Sequence, residues 1–143
     1  MIAVDTNILI YAAHAGSAYN KKASLFLESQ GDNKEFVLCE LNLIELYMAL
    51  RNPAIFSKPL TAAKAHDFCH DLKSNRNWQI VDYTPDVGNN LWNWAAKTNA
   101  GFRKIIDARI ALTLLHHGVK EFATANTKDF EEFGFTRIWN PVI

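Results

Sequence analysis

Short apolar runs alternate along this chain with longer stretches in which apolar residues recur every three or four positions. The first run, Met1 to Val4, ends abruptly at Asp5. A short apolar run closed at once by polar residues marks a strand buried on both faces of a parallel sheet. Thr6-Asn7 then offer a cap for a helix through Ile8-Leu9-Ile10-Tyr11, since a side-chain oxygen there can take up free N–H groups of the first turn. The same reading predicts a helix from Tyr19 to Ser29, a strand at Phe36-Val37-Leu38, and an apolar helix from Leu41 to Leu50 stopped by Asn52-Pro53. It predicts a helix from Thr61, its cap, to Leu72, and a strand from Trp78 to Val81 closed by Thr84-Pro85. Helices follow from Asp86 to Thr98 and from Ile105 to His116, the latter ending just before Gly118. Phe122-Ala123-Thr124 and Thr136 to Trp139 complete the strands.

Strands that alternate with helices imply a parallel sheet joined by right-handed crossovers, with helices on both faces. The expected fold is therefore a three-layer α/β/α domain, with residues 1–143 as one unit. Ligands in such folds bind beyond the carboxyl ends of the strands. Asp5 and Asn126 both follow predicted strands closely.

Composition narrows the class. Apolar residues make up 49% of the 143, which excludes a disordered chain. The 15 Lys and Arg are balanced by 15 Asp and Glu, which excludes a broad basic clamp for nucleic acid. Cys39 and Cys69 have no metal-finger spacing and are expected to be small hydrophobes in a reducing compartment. The start lacks the basic segment of a secretion signal, and no apolar run nears the roughly 20 residues of a membrane helix. A cytoplasmic protein with no membrane association is the expectation.

Where the acids sit changes the meaning of that neutral charge. Asp71, Glu28, Glu121, Glu131 and Glu132 read as surface acids. Glu45 does not: its helical neighbours are Leu41, Asn42, Met48 and Ala49, in a helix apolar nearly all round. A carboxylate buried there needs a partner. Asp107 sits among Ile106, Ala108, Ile110 and Ala111, with Arg103 and Lys104 in the preceding turn as possible salt-bridge partners. Asp5, at a buried strand end, could cap the next helix. Glu40 could serve the dipole of the Glu45 helix, and Asp129 could cap a turn. Brought together at a strand edge, Asp5, Glu45 and Asp107 would repel one another without a cation. Mg²⁺ or Mn²⁺ suits such an all-carboxylate set. No histidine pair has a convincing zinc spacing.

The run Val4-Asp5-Thr6-Asn7-Ile8-Leu9-Ile10-Tyr11-Ala12 resembles the first motif of the PIN-domain ribonucleases, and more narrowly of the VapC toxins of bacterial toxin–antitoxin pairs. Leu43-Ile44-Glu45-Leu46 resembles the second acidic motif, Ile105 to Ala111 the third, and Thr124 to Phe130 the closing one. The four occur in family order. The resemblance implies a parallel sheet of about five strands and a Mg²⁺- or Mn²⁺-dependent endoribonuclease. It implies Asp5, Glu45, Asp107 and Asp129 as catalytic and metal-holding acids, with Asn126 standing where many members have aspartate. It implies Thr6, Asn7, Thr124 and Asn126 as groups that orient the carboxylates and water. It further implies an RNA substrate, a homodimer and a cognate antitoxin protein.

The chemistry expected of this set is in-line hydrolysis of a phosphodiester, aided by a divalent ion that activates water and neutralises charge on the phosphate. Arg103 and Lys104 would steer substrate phosphates. Of the four tryptophans, Trp78 and Trp139 read as core, and no more than one of Trp92 and Trp94 should be exposed. A housekeeping RNA-processing nuclease of the same family, or a non-catalytic RNA- or protein-binding module, stands as the alternative. An aspartate-based phosphatase is disfavoured because Asn7 stands where a second aspartate would be needed, and a phosphoacceptor domain because no acidic pair accompanies Asp5. Assigning four of the acids to a metal site leaves the rest of the chain with four more cations than acids.

Overall fold

The computed structural model describes Met1–Ile143. Five strands form the sheet: β1 (Ile2–Val4), β2 (Phe36–Cys39), β3 (Gln79–Val81), β4 (Glu121–Ala123) and β5 (Arg137–Trp139). All are parallel, in the order β3-β2-β1-β4-β5. β1 is central, with Ala3 in register with Val37 on one side and Phe122 on the other. Six α-helices connect the strands: α1 (Thr6–Ala13), α2 (Asn20–Ser29), α3 (Glu40–Leu50), α4 (Ala62–Lys73), α5 (Pro85–Lys97) and α6 (Lys104–His116). The α/β/α architecture expected from the alternation of elements is the one observed.

Side-chain alternation along the strands separates two cores. Val4, Phe36, Leu38 and Ala123 point to one face, where Ile8 and Leu9 of α1 and Leu43, Leu46 and Leu50 of α3 cover them. Ala3, Val37, Cys39, Val81 and Phe122 point to the other, under Ile110, Ala111 and Leu114 of α6 and under Phe130. Each strand is thus apolar on both faces, which is why the runs read as continuous rather than alternating. Trp78 and Trp139 pack at the margin of the first core, while Trp92 is 63% exposed on α5.

Of the two caps expected for α1, Asp5 is the one formed and Thr6-Asn7 is not. Asp5 Oδ1 accepts from the Thr6 N–H at 2.8 Å, and Thr6 is already helical. The α3 helix, apolar nearly all round, leaves part of that apolar surface open, with Ile44 and Met48 49% and 64% exposed. Residues Thr127–Phe133, whose sequence pattern predicts no regular element, form a 3-10 helix that closes at Gly134. Gly134 has φ 101°, a left-handed conformation that glycine adopts without strain.

The sheet order fixes where a site can be. From β1 the chain steps outward through β2 to β3, then returns to pair β4 on the opposite side of β1. The crevice beyond the carboxyl ends of β1 and β4 is therefore the point where the order reverses, the place where open α/β sheets bind ligands.

Candidate active site

Asp5 and Thr124 are the first residues past β1 and β4, and they meet in that crevice. The Thr124 hydroxyl donates to Asp5 Oδ2 at 2.7 Å. Both residues are buried, and the backbone N–H of Asp5 donates to the Ala123 carbonyl at 2.9 Å, which holds the two strand ends together. Asn7, the second residue of α1, braces Thr124: its Nδ2 donates to the Thr124 hydroxyl at 3.4 Å, and its Oδ1 accepts from the Ala125 N–H at 3.3 Å. The Asn126 N–H adds a third bond to Thr124 Oγ1 at 3.0 Å.

Glu45 enters from α3. Its Oε1 accepts a hydrogen bond from the Thr6 hydroxyl at 2.8 Å. Thr6 therefore joins two acids, with its N–H on Asp5 and its hydroxyl on Glu45. Behind it lies Asn42, fully buried, whose Nδ2 donates to Thr6 Oγ1 at 2.8 Å. The sequence reading missed Asn42. The signal was there: a lone amide in the apolar run from Leu41 to Leu50, three residues before Glu45, must find a partner if buried.

Asp107 comes from the first turn of α6. It lines one open cavity of about 540 Å³ together with Asp5, Glu45, Thr6, Asn7 and Asn126. The cavity continues into a neighbouring concavity of about 620 Å³, where Glu45 and Asp107 face Arg103, Lys104 and Phe102. The expected salt bridge from Arg103 or Lys104 to Asp107 is absent. Lys104 turns to Asp129 instead, with Nζ 3.9 Å from Oδ1 and a hydrogen bond to the Asp129 carbonyl. Asp129 itself, on the 3-10 helix, is exposed and borders a separate small concavity with Asn126 and Lys128. Three of the four predicted acids thus share one cavity, and the fourth, Asp129, lies outside it, tied to the neighbouring concavity through Lys104.

The electrostatics reflect that crowding. Burial pushes the Asp5 carboxyl up from 3.8 to about 6, against the hydrogen bonds from Thr124 and Thr6 that pull it down; the charges of Asp107 and Glu45 push it further up. Burial also raises Asp107, offset by Lys104 and reinforced by Asp129 and Glu45. A cluster of carboxylates that disfavour one another's charge is stabilised by a cation. No three His, Cys, Asp or Glu side chains are drawn into a closed metal cage. The donor set nonetheless fits a hard ion such as Mg²⁺, which takes oxygen ligands, keeps several waters, and uses one or two carboxylates rather than an all-protein cage.

The two cysteines lie outside the cavity. Cys39 is buried in the second core and Cys69 is half-buried, its thiol against the Leu43 carbonyl at 3.7 Å; both are free, and burial raises both thiols. No helix is long and apolar enough to cross a membrane.

Comparison with known proteins bears on the family and the fold. The family model of the PIN domain matches residues 2–136. Ribonuclease VapC24 of Mycobacterium tuberculosis is 42% identical over 142 residues, spanning 99% of this chain and 97% of that protein. Among solved structures, Mycobacterium tuberculosis VapC20, a toxin that cleaves the sarcin–ricin loop, superposes with a TM-score of 0.72 at 18% identity, covering 95% of this chain and 97% of that one. VapBC2 from Rickettsia felis, bound to a DNA fragment from its promoter, gives 0.66 at 18% identity, covering 98% of each chain. At these identities the two structures show the shared fold.

Proposed function

The chain belongs to the PIN-domain family, and from that premise we propose that it is an endoribonuclease that hydrolyses RNA phosphodiester bonds with Mg²⁺ or Mn²⁺, as the toxin of a toxin–antitoxin pair. One observation carries the reading: Asp5, Glu45 and Asp107, drawn from three separate elements, converge on a single cavity at the reversal of the sheet. The near-full-length similarity to a ribonuclease supports the reaction class. Solved toxin–antitoxin complexes among the structural neighbours support an antitoxin partner.

Asp5, Glu45 and Asp107 would hold the ion, and Asp129, whose charge is felt at Asp107 from outside the cavity, would complete the set of acids. When bound, a divalent ion would supply activation of water near neutral pH and charge neutralisation on the scissile phosphate. The protein's own groups do the rest. Thr124 and Thr6 fix the Asp5 carboxylate from two sides, and Thr6 fixes Glu45. Asn7 and Asn126 hold Thr124 in place. Arg103 and Lys104, across the concavity from Glu45 and Asp107, would receive the phosphates of a single strand. The exposed apolar residues Ile44, Met48 and Ile106 at the cavity rim would be covered by a protein partner, whether the antitoxin or a second copy. In this role the protein acts in the cytoplasm.

The test is direct. Purified protein incubated with RNA should release fragments with Mg²⁺ or Mn²⁺ and none with chelator, and its expression should arrest growth. RNA left intact by the metal-loaded protein overturns the proposal.

A further inference from the structure

Two arrangements at the site have the same form. In the first, Asn7 Nδ2 donates to the Thr124 hydroxyl, which donates to Asp5. In the second, Asn42 Nδ2 donates to the Thr6 hydroxyl, which donates to Glu45. A threonine hydroxyl has one hydrogen and can rotate. An amide N–H aimed at its oxygen leaves that hydrogen free for the carboxylate. We propose that Asn42 is a positioning residue for Glu45, acting through Thr6: it directs the Thr6 hydroxyl onto Oε1 and so sets the carboxylate to receive the divalent ion.

The direction of the amide follows from its bonds. With its carbonyl turned toward Thr6 instead, that carbonyl would compete with Glu45 for the single hydroxyl hydrogen. The orientation that supports Glu45 leaves Asn42 Oδ1 buried with no partner, the only such buried side-chain atom in the protein. An unpaired buried acceptor weakens the fold, and an apolar residue of the same size would avoid the loss. The asparagine is therefore poorly explained by stability and well explained by what its N–H does for Thr6. Nothing else on α3 supplies Thr6 with a donor.

The inference rests on the proposed metal-dependent activity, and its test separates the two. Mn²⁺ affinity is measured by electron paramagnetic resonance on wild type, Asn42→Leu, Thr6→Val and the double variant, alongside thermal midpoints and RNA cleavage. Asn42→Leu should keep or raise the thermal midpoint, bind Mn²⁺ about ten-fold more weakly, and lower kcat with little change in KM. The double variant should be no worse than Thr6→Val, because Asn42 acts through that hydroxyl. A purely structural role predicts the opposite, a lower midpoint with Mn²⁺ affinity intact. A second measurement needs no variant: in amide NMR spectra of the wild type, the Asn42 side-chain NH₂ should shift as Mg²⁺ is titrated. Wild type that binds no Mn²⁺ overturns the proposed function and this inference together. Wild type and Asn42→Leu that bind it equally, or an Asn42 resonance unmoved at saturating Mg²⁺, overturn the inference alone.

Discussion

Thr124 and Asp5 stand 119 positions apart in the chain, yet the Thr124 hydroxyl donates to Asp5 Oδ2 at 2.7 Å. The bond spans the seam between β1 and β4, where the sheet order reverses. It ties the end of one strand to the end of the other, so the same contact shapes the fold and orients an acid of the proposed site.

Thr124→Val removes that hydroxyl in a fully buried position. It strips Asp5 of one donor and leaves the Asn126 N–H without its acceptor. The expected loss is about 1–3 kcal/mol of stability, read by urea unfolding. The Asp5 carboxyl should also titrate above its present value of about 6, because a bond favouring the charged form is gone. A carboxyl titration curve from NMR that does not move would contradict the role given to Thr124.

Asp5 makes the metal-free protein sensitive to pH. Its folded pKa, about 6, lies above the ordinary 3.8, so folding takes up a proton between those values. Stability in chelator should therefore fall as pH rises from 4 through 6, and the penalty is fully present above 6. A shift of this size corresponds to ~3 kcal/mol. Asp5→Asn should lose this dependence. Relative to that variant, the wild type should gain stability as pH is lowered from 7.5 to 4.5, measured by denaturant unfolding at both values.

Arg103 is exposed beside the concavity that holds Glu45 and Asp107. Arg103→Ala should raise KM for RNA several-fold and leave kcat nearly unchanged. If the side chain meets one phosphate, the slope of log affinity against log salt should become shallower by roughly 0.7. An unchanged slope would remove Arg103 from the substrate path.

Leu46 lies beside Glu45 on α3 but faces the first core with no exposed surface. Leu46→Ala should cost about 2–5 kcal/mol through the cavity it leaves. Thermal unfolding should report that loss, while the protein that remains folded keeps its kcat at low temperature.

The fold was legible from the sequence because each strand is short, apolar on both faces and closed by a polar residue. That pattern located β1 and β2 to within one residue, and it pointed to Asp5 and Asn126 at strand ends. Glu45 and Asp107 stood out as acids in apolar helices, and both reach the common cavity. Side-chain partnerships were not legible. Lys104 sits one turn before Asp107, yet it pairs with Asp129, because the 3-10 helix brings that residue under its ammonium group. A 3-10 helix of this kind has no strong periodic signature. Asn42 went unseen for a related reason: its partner, Thr6, is 36 positions away, and only the packing of α3 on α1 joins them.

In the proposed reaction the carboxylates of Asp5, Glu45 and Asp107 act together on RNA through a divalent ion. The most direct measurement is single-turnover cleavage of RNA by wild type, Asp5→Asn and Asp107→Asn across a Mn²⁺ titration, with folding confirmed by thermal midpoint. Wild type should cleave in a metal-dependent manner, and each folded variant should lose about 100-fold or more of that rate. Cleavage by either variant at the wild-type rate, or by the wild type in chelator, would contradict the proposed reaction.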